Sequence, residues 1–217
     1  MPPLMLFAAG LGTRMGALTA DRPKPMIPVA GRPLIDHALA LARQAEVTRI
    51  VANTHYLPDR LRLPPDVIVS HEPELLETGG GLRAALPLLG EGPVMTLNTD
   101  AVWTGANPLR QLRQAWDPAR MDALLLLLPA RQATGYRGAG DFTGGPVLAR
   151  GGDHAYLGAQ ILDPSGLADI PDTAFSLNLL WDRFIARGRL YGIVHDGGWC
   201  DVGRPESLPL AEGLLHG

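Results

Sequence analysis

From Leu4 to about residue 130 the chain alternates short apolar runs with helical stretches, and this alternation constrains the fold more than any other feature. The runs at 4–9, 48–53, 66–70, 93–98 and 121–128 have the length and content of buried strands. Between them, Ile35, Ala38, Leu39 and Ala42 recur at helical spacing behind Pro33. Residues 79–89 read as a helix opened by glycines, and 109–116 as another. Strands joined by helices predict an α/β fold: a mostly parallel, mixed sheet with helices on both faces. The character then changes. Residues 131–163 are rich in glycine and arginine and read as turns and short strands, the best of them at 156–162. An amphipathic helix at 175–187, a strand at 190–195 and a helix at 205–215 close the chain. With no repeat or linker, residues 1–217 are expected to form one domain with a larger part at 1–130 and a smaller lobe at 131–217.

Charge and cysteine content remove several function classes. Nineteen Lys+Arg against 22 Asp+Glu give a net charge of -3 without a basic block, so nucleic acid is not an expected partner. A single cysteine excludes a disulfide framework within the chain. The longest apolar run, 123–130, is far short of a membrane span, and the N-terminus reads as a first strand and not as a signal peptide. A cytoplasmic globular protein without a membrane partner is the expectation, as a monomer or small homo-oligomer. Of the 19 basic residues only Lys24 is a lysine, and it stands between two prolines in Arg22-Pro-Lys-Pro-Met-Ile-Pro28. That stiff, extended setting suits a built loop, and an ammonium is a compact point charge where arginine is a planar fork.

The first run ends in Ala8-Ala9-Gly10-Leu11-Gly12-Thr13-Arg14. Glycines after a first strand let backbone N–H groups approach a phosphate. Met15 stands where a dinucleotide fingerprint needs glycine, no acidic residue lies about 20 positions on, and no Gly-Lys-Ser/Thr follows, so neither standard nucleotide loop fits. Arg14 and Lys24 close behind the loop make a triphosphate the fitting ligand.

Together with Arg22-Pro-Lys-Pro-Met-Ile-Pro-Val-Ala-Gly-Arg-Pro-Leu34, this loop resembles the signature of the sugar-1-phosphate nucleotidyltransferases. Glu77-Thr-Gly-Gly-Gly81, Asn98-Thr-Asp100 and Trp199-Cys-Asp-Val-Gly203 extend the likeness over nearly the whole chain. The subgroup it resembles is the N-acetylmuramate α-1-phosphate uridylyltransferases of cell-wall recycling. Mannose-1-phosphate guanylyltransferases and glucose-1-phosphate thymidylyl- and uridylyltransferases are near relatives.

The resemblance implies a Rossmann-like nucleotidyltransferase domain, with 1–130 as its nucleotide-binding half and 131–217 as its sugar-binding half. It implies a Mg²⁺-dependent enzyme whose substrates are a nucleoside triphosphate and a sugar 1-phosphate. Arg14 and Lys24 would be catalytic. Ala9, Gly10, Leu11, Gly12 and Thr13 would join them at the nucleotide, with Glu77, Gly80 and Asn98 near base and ribose. Gly80 is expected to leave room for the base. Asp100 and Asp201 would hold the metal. Read as residues alone, Asp100 could equally be a helix cap, Asp201 a turn aspartate and Thr78 the cap of a helix entry.

The chemistry agrees with the pattern. A sugar phosphate oxygen is already anionic at neutral pH, so no Ser-His-Asp or Cys-His arrangement is required. What is needed is relief of repulsion between two polyanions and charge stabilisation at the α-phosphorus.

On the sugar side, Asp141, Gly158 and Asn178 are the expected contacts by position in the family, with Tyr156 beside them. Many relatives place a second lysine there. This chain has none, leaving Arg137, Arg150 or Arg204 as substitutes. Cys200 reads as a buried small hydrophobe, His195 as a surface or strand-end residue, and Trp199 as packing beneath the Asp201 loop. A non-catalytic sensor of sugar nucleotides is the competing class, and it would be expected to lack one of Arg14, Lys24, Asp100 or Asp201.

Overall fold

A computed structural model describes residues 1–217. The sheet starts with β1 (Leu4–Phe7), after which come two-residue strands β2 (Pro28–Val29) and β3 (Arg32–Pro33), then α1 (Leu34–Gln44). Next are β4 (Ile50–Thr54), β5 (Val67–His71), α2 (Glu77–Leu89), β6 (Val94–Asn98), β7 (Ala101–Trp103) and α3 (Pro108–Ala115). The second part holds β8 (Ala123–Pro129), β9 (His154–Leu162), α4 (Asn178–Ala186), β10 (Leu190–Val194), β11 (Trp199–Asp201) and α5 (Leu208–His216). Seven strands form the main sheet in the order β10-β8-β9-β6-β1-β4-β5. Only β9 runs antiparallel to its neighbours, so the sheet is mixed and mostly parallel, as the alternation predicts.

The period of two along each strand sorts side chains into two layers. Leu4, Leu6, Leu124, Leu126 and Leu128 join α1 and α3 in a core of 28 buried residues. Met5, Ala123, Leu125 and Leu127 join α2 and α4 in a core of 20 on the opposite face. A third cluster of eight, including Val102, Cys200, Val202 and Ala211, fastens β7 and β11 to α5. No helix is long and apolar enough to cross a membrane.

Two helix boundaries and one helix cap depart from the sequence reading. The helix expected at 175–187 begins only at Asn178, because the segment ahead of it, with Phe175 and Leu177 buried, hydrogen-bonds to α2 instead. Thr78 does not cap α2. Its Oγ1 accepts from Leu177 N at 3.0 Å, while the helix's free Gly79 and Gly80 amides both donate to Phe175 O. The closing helix at 205–215 divides into a 3₁₀ turn, Pro205–Ser207, and α5.

Candidate active site

The C-terminal ends of β1, β4 and β6 open onto one cavity of about 330 Å³, the position at which open α/β sheets carry ligands. Ala8, Ala9 and Gly10 form one wall. Gly10 has open space where a Cβ would stand, leaving the backbone accessible. Gly12 has φ +64°, and a Cβ there would lie 2.9 Å from Thr19 and 3.0 Å from the Lys24 β-carbon. This glycine therefore serves loop geometry, letting the turn at Thr13–Thr19 close over the lysine. Leu11 and Thr13 face a shallower hollow with Tyr56, away from the cavity.

Lys24 sits in a 3₁₀ turn set up by Pro23 and Pro25, and only 8% of it is exposed. Its Nζ donates to Asp100 Oδ2 at 2.6 Å. The sole lysine and the aspartate after β6 are thus direct partners, although 76 residues separate them. Asp100 is not a helix cap: it lies between β6 and β7.

Asp201 arrives beside Asp100 through a strand pair that sequence patterning missed. β11 runs antiparallel to β7 with Asp201 opposite Ala101, and Val202 N donates to Asp100 O at 2.8 Å. Trp103 and Trp199 pack edge to face behind this pair, with ring centroids 6.3 Å apart. The neighbouring glycine makes the junction tight. A Cβ on Gly203 would stand 2.8 Å from Asp201 Oδ2 and 3.3 Å from Arg14 Nη2. Arg14 and Lys24, from the first half, therefore meet Asp100 and Asp201.

Their fields diverge. Burial works against charge on Asp100, but the Lys24 ammonium and then the Arg14 guanidinium outweigh it and hold the carboxyl below the usual carboxylate range. Burial and the neighbouring Asp100 push the Asp201 carboxyl upward, against the pull of Lys24, Arg14 and Arg204.

The facing wall comes from α2 and from residues distant in sequence. Glu77, with φ +59°, and Thr78 line the cavity with Asn98, Asn53, Glu72 and Ser176. The last three escaped the sequence reading. Asn53 is nonetheless legible by the same signal as Asn98, a polar residue at the C-terminal end of a buried strand. It links the walls: Asn53 Oδ1 accepts from Ala8 N at 2.7 Å, and its Nδ2 donates to Glu72 Oε1 at 2.7 Å. Glu72 Oε2 then accepts from Leu76 N at 3.1 Å, just before α2.

The role expected of Gly80 needs correction. A Cβ there would lie 2.4 Å from Thr173 O, so the space is taken by the chain itself and not left for a base. Gly79 likewise admits Phe175, and Gly81 admits Glu72.

The expected sugar contacts are dispersed. Asp141 Oδ2 accepts from Tyr156 N at 2.9 Å, a structural bond within the smaller lobe. Gly158, with φ +81°, makes room for Asn98, whose side chain a Cβ would approach to 2.8 Å. Asn178 is exposed at the start of α4 and donates to Ser176 Oγ at 3.0 Å. Arg150 is engaged elsewhere, 2.8 Å from Asp182 and over the Phe142 and Trp181 rings. Arg204 is the one proposed substitute whose charge is felt at Asp201.

His195 does follow β10 but is not at the surface. It is 3% exposed, with Nδ1 2.6 Å from Gln111 Oε1 and Nε2 3.2 Å from Thr104 O. Cys200 is buried as expected, and burial followed by the Asp201 charge pushes its thiol up to about 11.

Comparison with known proteins agrees with this architecture. Residues 4–157 match the family described as the MobA-like NTP transferase domain. A protein named N-acetylmuramate alpha-1-phosphate uridylyltransferase from Caulobacter vibrioides is 41% identical, over 97% of this chain and 96% of its own. Another of that name from Neisseria meningitidis serogroup B is 32% identical, again over 97% and 96%. Among solved structures, UDP-glucose pyrophosphorylase from Acinetobacter baumanii superposes with a TM-score of 0.80 at 16% identity, covering 100% of this chain and 93% of that one. That last likeness is one of fold. By the family match and the two full-length relatives, this chain belongs to the MobA-like NTP transferases and is a sugar-1-phosphate nucleotidyltransferase.

Proposed function

We propose that the protein transfers a uridylyl group from UTP to N-acetylmuramate α-1-phosphate, releasing pyrophosphate, in cytoplasmic recycling of cell-wall sugars. The substrates follow from the two relatives of that name, which align over nearly the full chain. One observation carries the chemistry: Lys24 and Arg14 converge with Asp100 and Asp201 beside the glycine loop.

In the proposed reaction a sugar-phosphate oxygen attacks the α-phosphorus. A new P–O bond forms, and the bond to the bridging oxygen of the β-phosphate breaks to release pyrophosphate. The attacking oxygen needs no base. Ala9 and Gly10 offer backbone donors to the triphosphate, while Leu11, Gly12 and Thr13 shape the loop. Lys24 and Arg14 offset charge on the transferring phosphoryl group and the leaving pyrophosphate. Glu77, Thr78 and Asn98 border the base and ribose. Residues 1–130 supply most of the nucleotide site; residues 131–217 supply Asp201 and the sugar side, where the Arg204 charge acts on Asp201.

Two aspartates whose charges oppose one another, beside substrate phosphates, form a donor set that suits Mg²⁺. Asp100 and Asp201 would hold the ion, which would supply charge neutralisation at the α-phosphate.

The test is pyrophosphate release with four nucleoside triphosphates crossed against N-acetylmuramate, N-acetylglucosamine, glucose and mannose 1-phosphates, with and without Mg²⁺. UTP with N-acetylmuramate 1-phosphate is expected to dominate. A maximum elsewhere in the grid replaces the substrate assignment. In a folded Asp100→Asn or Asp201→Asn protein, undiminished turnover would remove the metal assignment.

A further inference from the structure

Residues 172–177 form a strap from the second half that lies across the first turn of α2. Five backbone or hydroxyl contacts hold it there or approach it closely: Gly79 N and Gly80 N donate to Phe175 O at 2.8 and 3.1 Å, Phe175 N donates to Leu76 O at 3.1 Å, Leu177 N donates to Thr78 Oγ1 at 3.0 Å, and Thr173 O fills the space beside Gly80. Ser176, on the strap, faces the cavity together with Glu77 and Thr78. One side chain fastens the strap from outside. Arg83, two turns along α2, donates from Nη1 to Ile170 O at 2.6 Å and from Nη2 to Asp172 O at 2.5 Å. Its Nη2 also reaches Thr173 O at 3.3 Å, and its guanidinium lies 4.8 Å from the centre of the Phe175 ring. All these acceptors belong to one loop, and the guanidinium touches no residue of the cavity wall.

We propose that Arg83 is a positioning residue for nucleotide binding: by pinning the strap to α2 it sets the wall that Ser176, Glu77 and Thr78 present to the nucleoside triphosphate. The inference rests on the nucleotidyltransfer reading for the identity of the ligand. The fork geometry is what the task requires. A planar guanidinium lies on the Phe175 ring while directing N–H groups at successive carbonyls, and a lysine ammonium cannot do both. Because the wall touches the nucleotide in ground state and transition state alike, loosening it weakens binding without slowing the chemical step.

The experiment compares Arg83→Met and Arg83→Lys with the unaltered protein, below the onset of unfolding. It measures nucleotide affinity by calorimetry, KM for each substrate, kcat, and amide exchange at Gly79, Gly80 and Leu177. Arg83→Met is expected to speed exchange at these amides and to raise both Kd and KM for the triphosphate about tenfold, the effect of losing about 1.4 kcal/mol of binding. The KM for the sugar phosphate and kcat are expected to stay within about twofold, since the altered wall is used equally in ground and transition states. Arg83→Lys should fall between. Unchanged exchange, or faster exchange with unchanged nucleotide affinity, overturns the proposal. So does a fall in kcat with constant KM, which is the mark of a lost folded fraction. If the unaltered protein binds triphosphate but transfers nothing, the proposed reaction fails while calorimetry and exchange still decide the role of Arg83. If it binds no triphosphate at all, both fall.

Discussion

Replacing Asn53 with alanine should cost far more stability than removing a single amide from an open cleft. Asn53 is 3% exposed, and the groups it serves, the Ala8 amide and the Glu72 carboxylate, belong to residues that are 4% and 1% exposed. Both of its bonds are 2.7 Å long. Truncation leaves one buried N–H and one buried carboxylate oxygen without partners. Stranding a buried neutral group costs about 1–3 kcal/mol and a charged one more, so a loss of about 3–5 kcal/mol is expected. Domains of this kind hold only about 5–15 kcal/mol in total, so the variant should unfold at distinctly lower denaturant.

The assay is urea unfolding of Asn53→Ala, Glu72→Ala and the double variant, with stability taken from linear extrapolation at constant slope. Because the two side chains are bonded partners, the double variant should cost less than the sum of the singles by about 1–2 kcal/mol, within the range usual for residues in contact. A cost below about 1 kcal/mol for Asn53→Ala would mean that water from the adjoining cavity replaces the amide, and the reasoning from stranded groups would be refuted. Additivity within about 0.5 kcal/mol would show that the pair is not coupled.

Other perturbations read other parts of the structure. Gly158→Ala forces a side chain into φ +81° and to within 2.8 Å of Asn98; a loss of at least about 2 kcal/mol is expected from the backbone strain and the displaced asparagine, measured by the same unfolding assay. Lys24→Arg should lower kcat/KM by about a hundredfold or more while circular dichroism stays unchanged, since the fork cannot replace a compact ammonium aimed at Asp100. Cys200, with its thiol raised to about 11, should resist a disulfide reagent at pH 8 in the folded protein and react promptly in denaturant. His195 is held below its ordinary value first by burial, against the pull of the Thr104 and Gly198 backbone and Asp196. The unfolded chain therefore binds its proton more readily, and the contribution of this residue to stability is present above the unfolded pKa and lost as pH falls through the lower, folded one. His195→Gln should accordingly show a smaller drop in melting temperature between pH 7.5 and 5.5, and an identical drop would exclude this account.

How much of this could be read in advance depends on what each signal measures. Strands β1, β4, β6 and β8 are legible because buried strands are continuous apolar runs, and the loop after β1 because glycines follow one of them. Lys24 stood out by being alone of its kind. The partnership of Asp100 with Asp201 was suggested only by family likeness. β7 and β11 are three residues each, too short for any period, and they pair across the two halves of the chain. The last three residues of the strap, 175–177, read as helix for a sharper reason. Leu177, Leu180, Trp181 and Phe184 are buried at i, i+3, i+4 and i+7, so the helical pattern runs back past the start of the helix at Asn178, and Phe175, buried just ahead of it, extends the apolar stretch. Periodicity records which side chains are covered and is silent on whether one element or two do the covering. The glycines of α2 make the same point. Gly79, Gly80 and Gly81 do mark close approach, yet what approaches is Phe175, the Thr173 carbonyl and the Glu72 carboxylate. These three glycines report that something comes near the backbone. Whether that something is a ligand or another stretch of the same chain is decided by residues elsewhere, here by Arg83 fixing the strap in place.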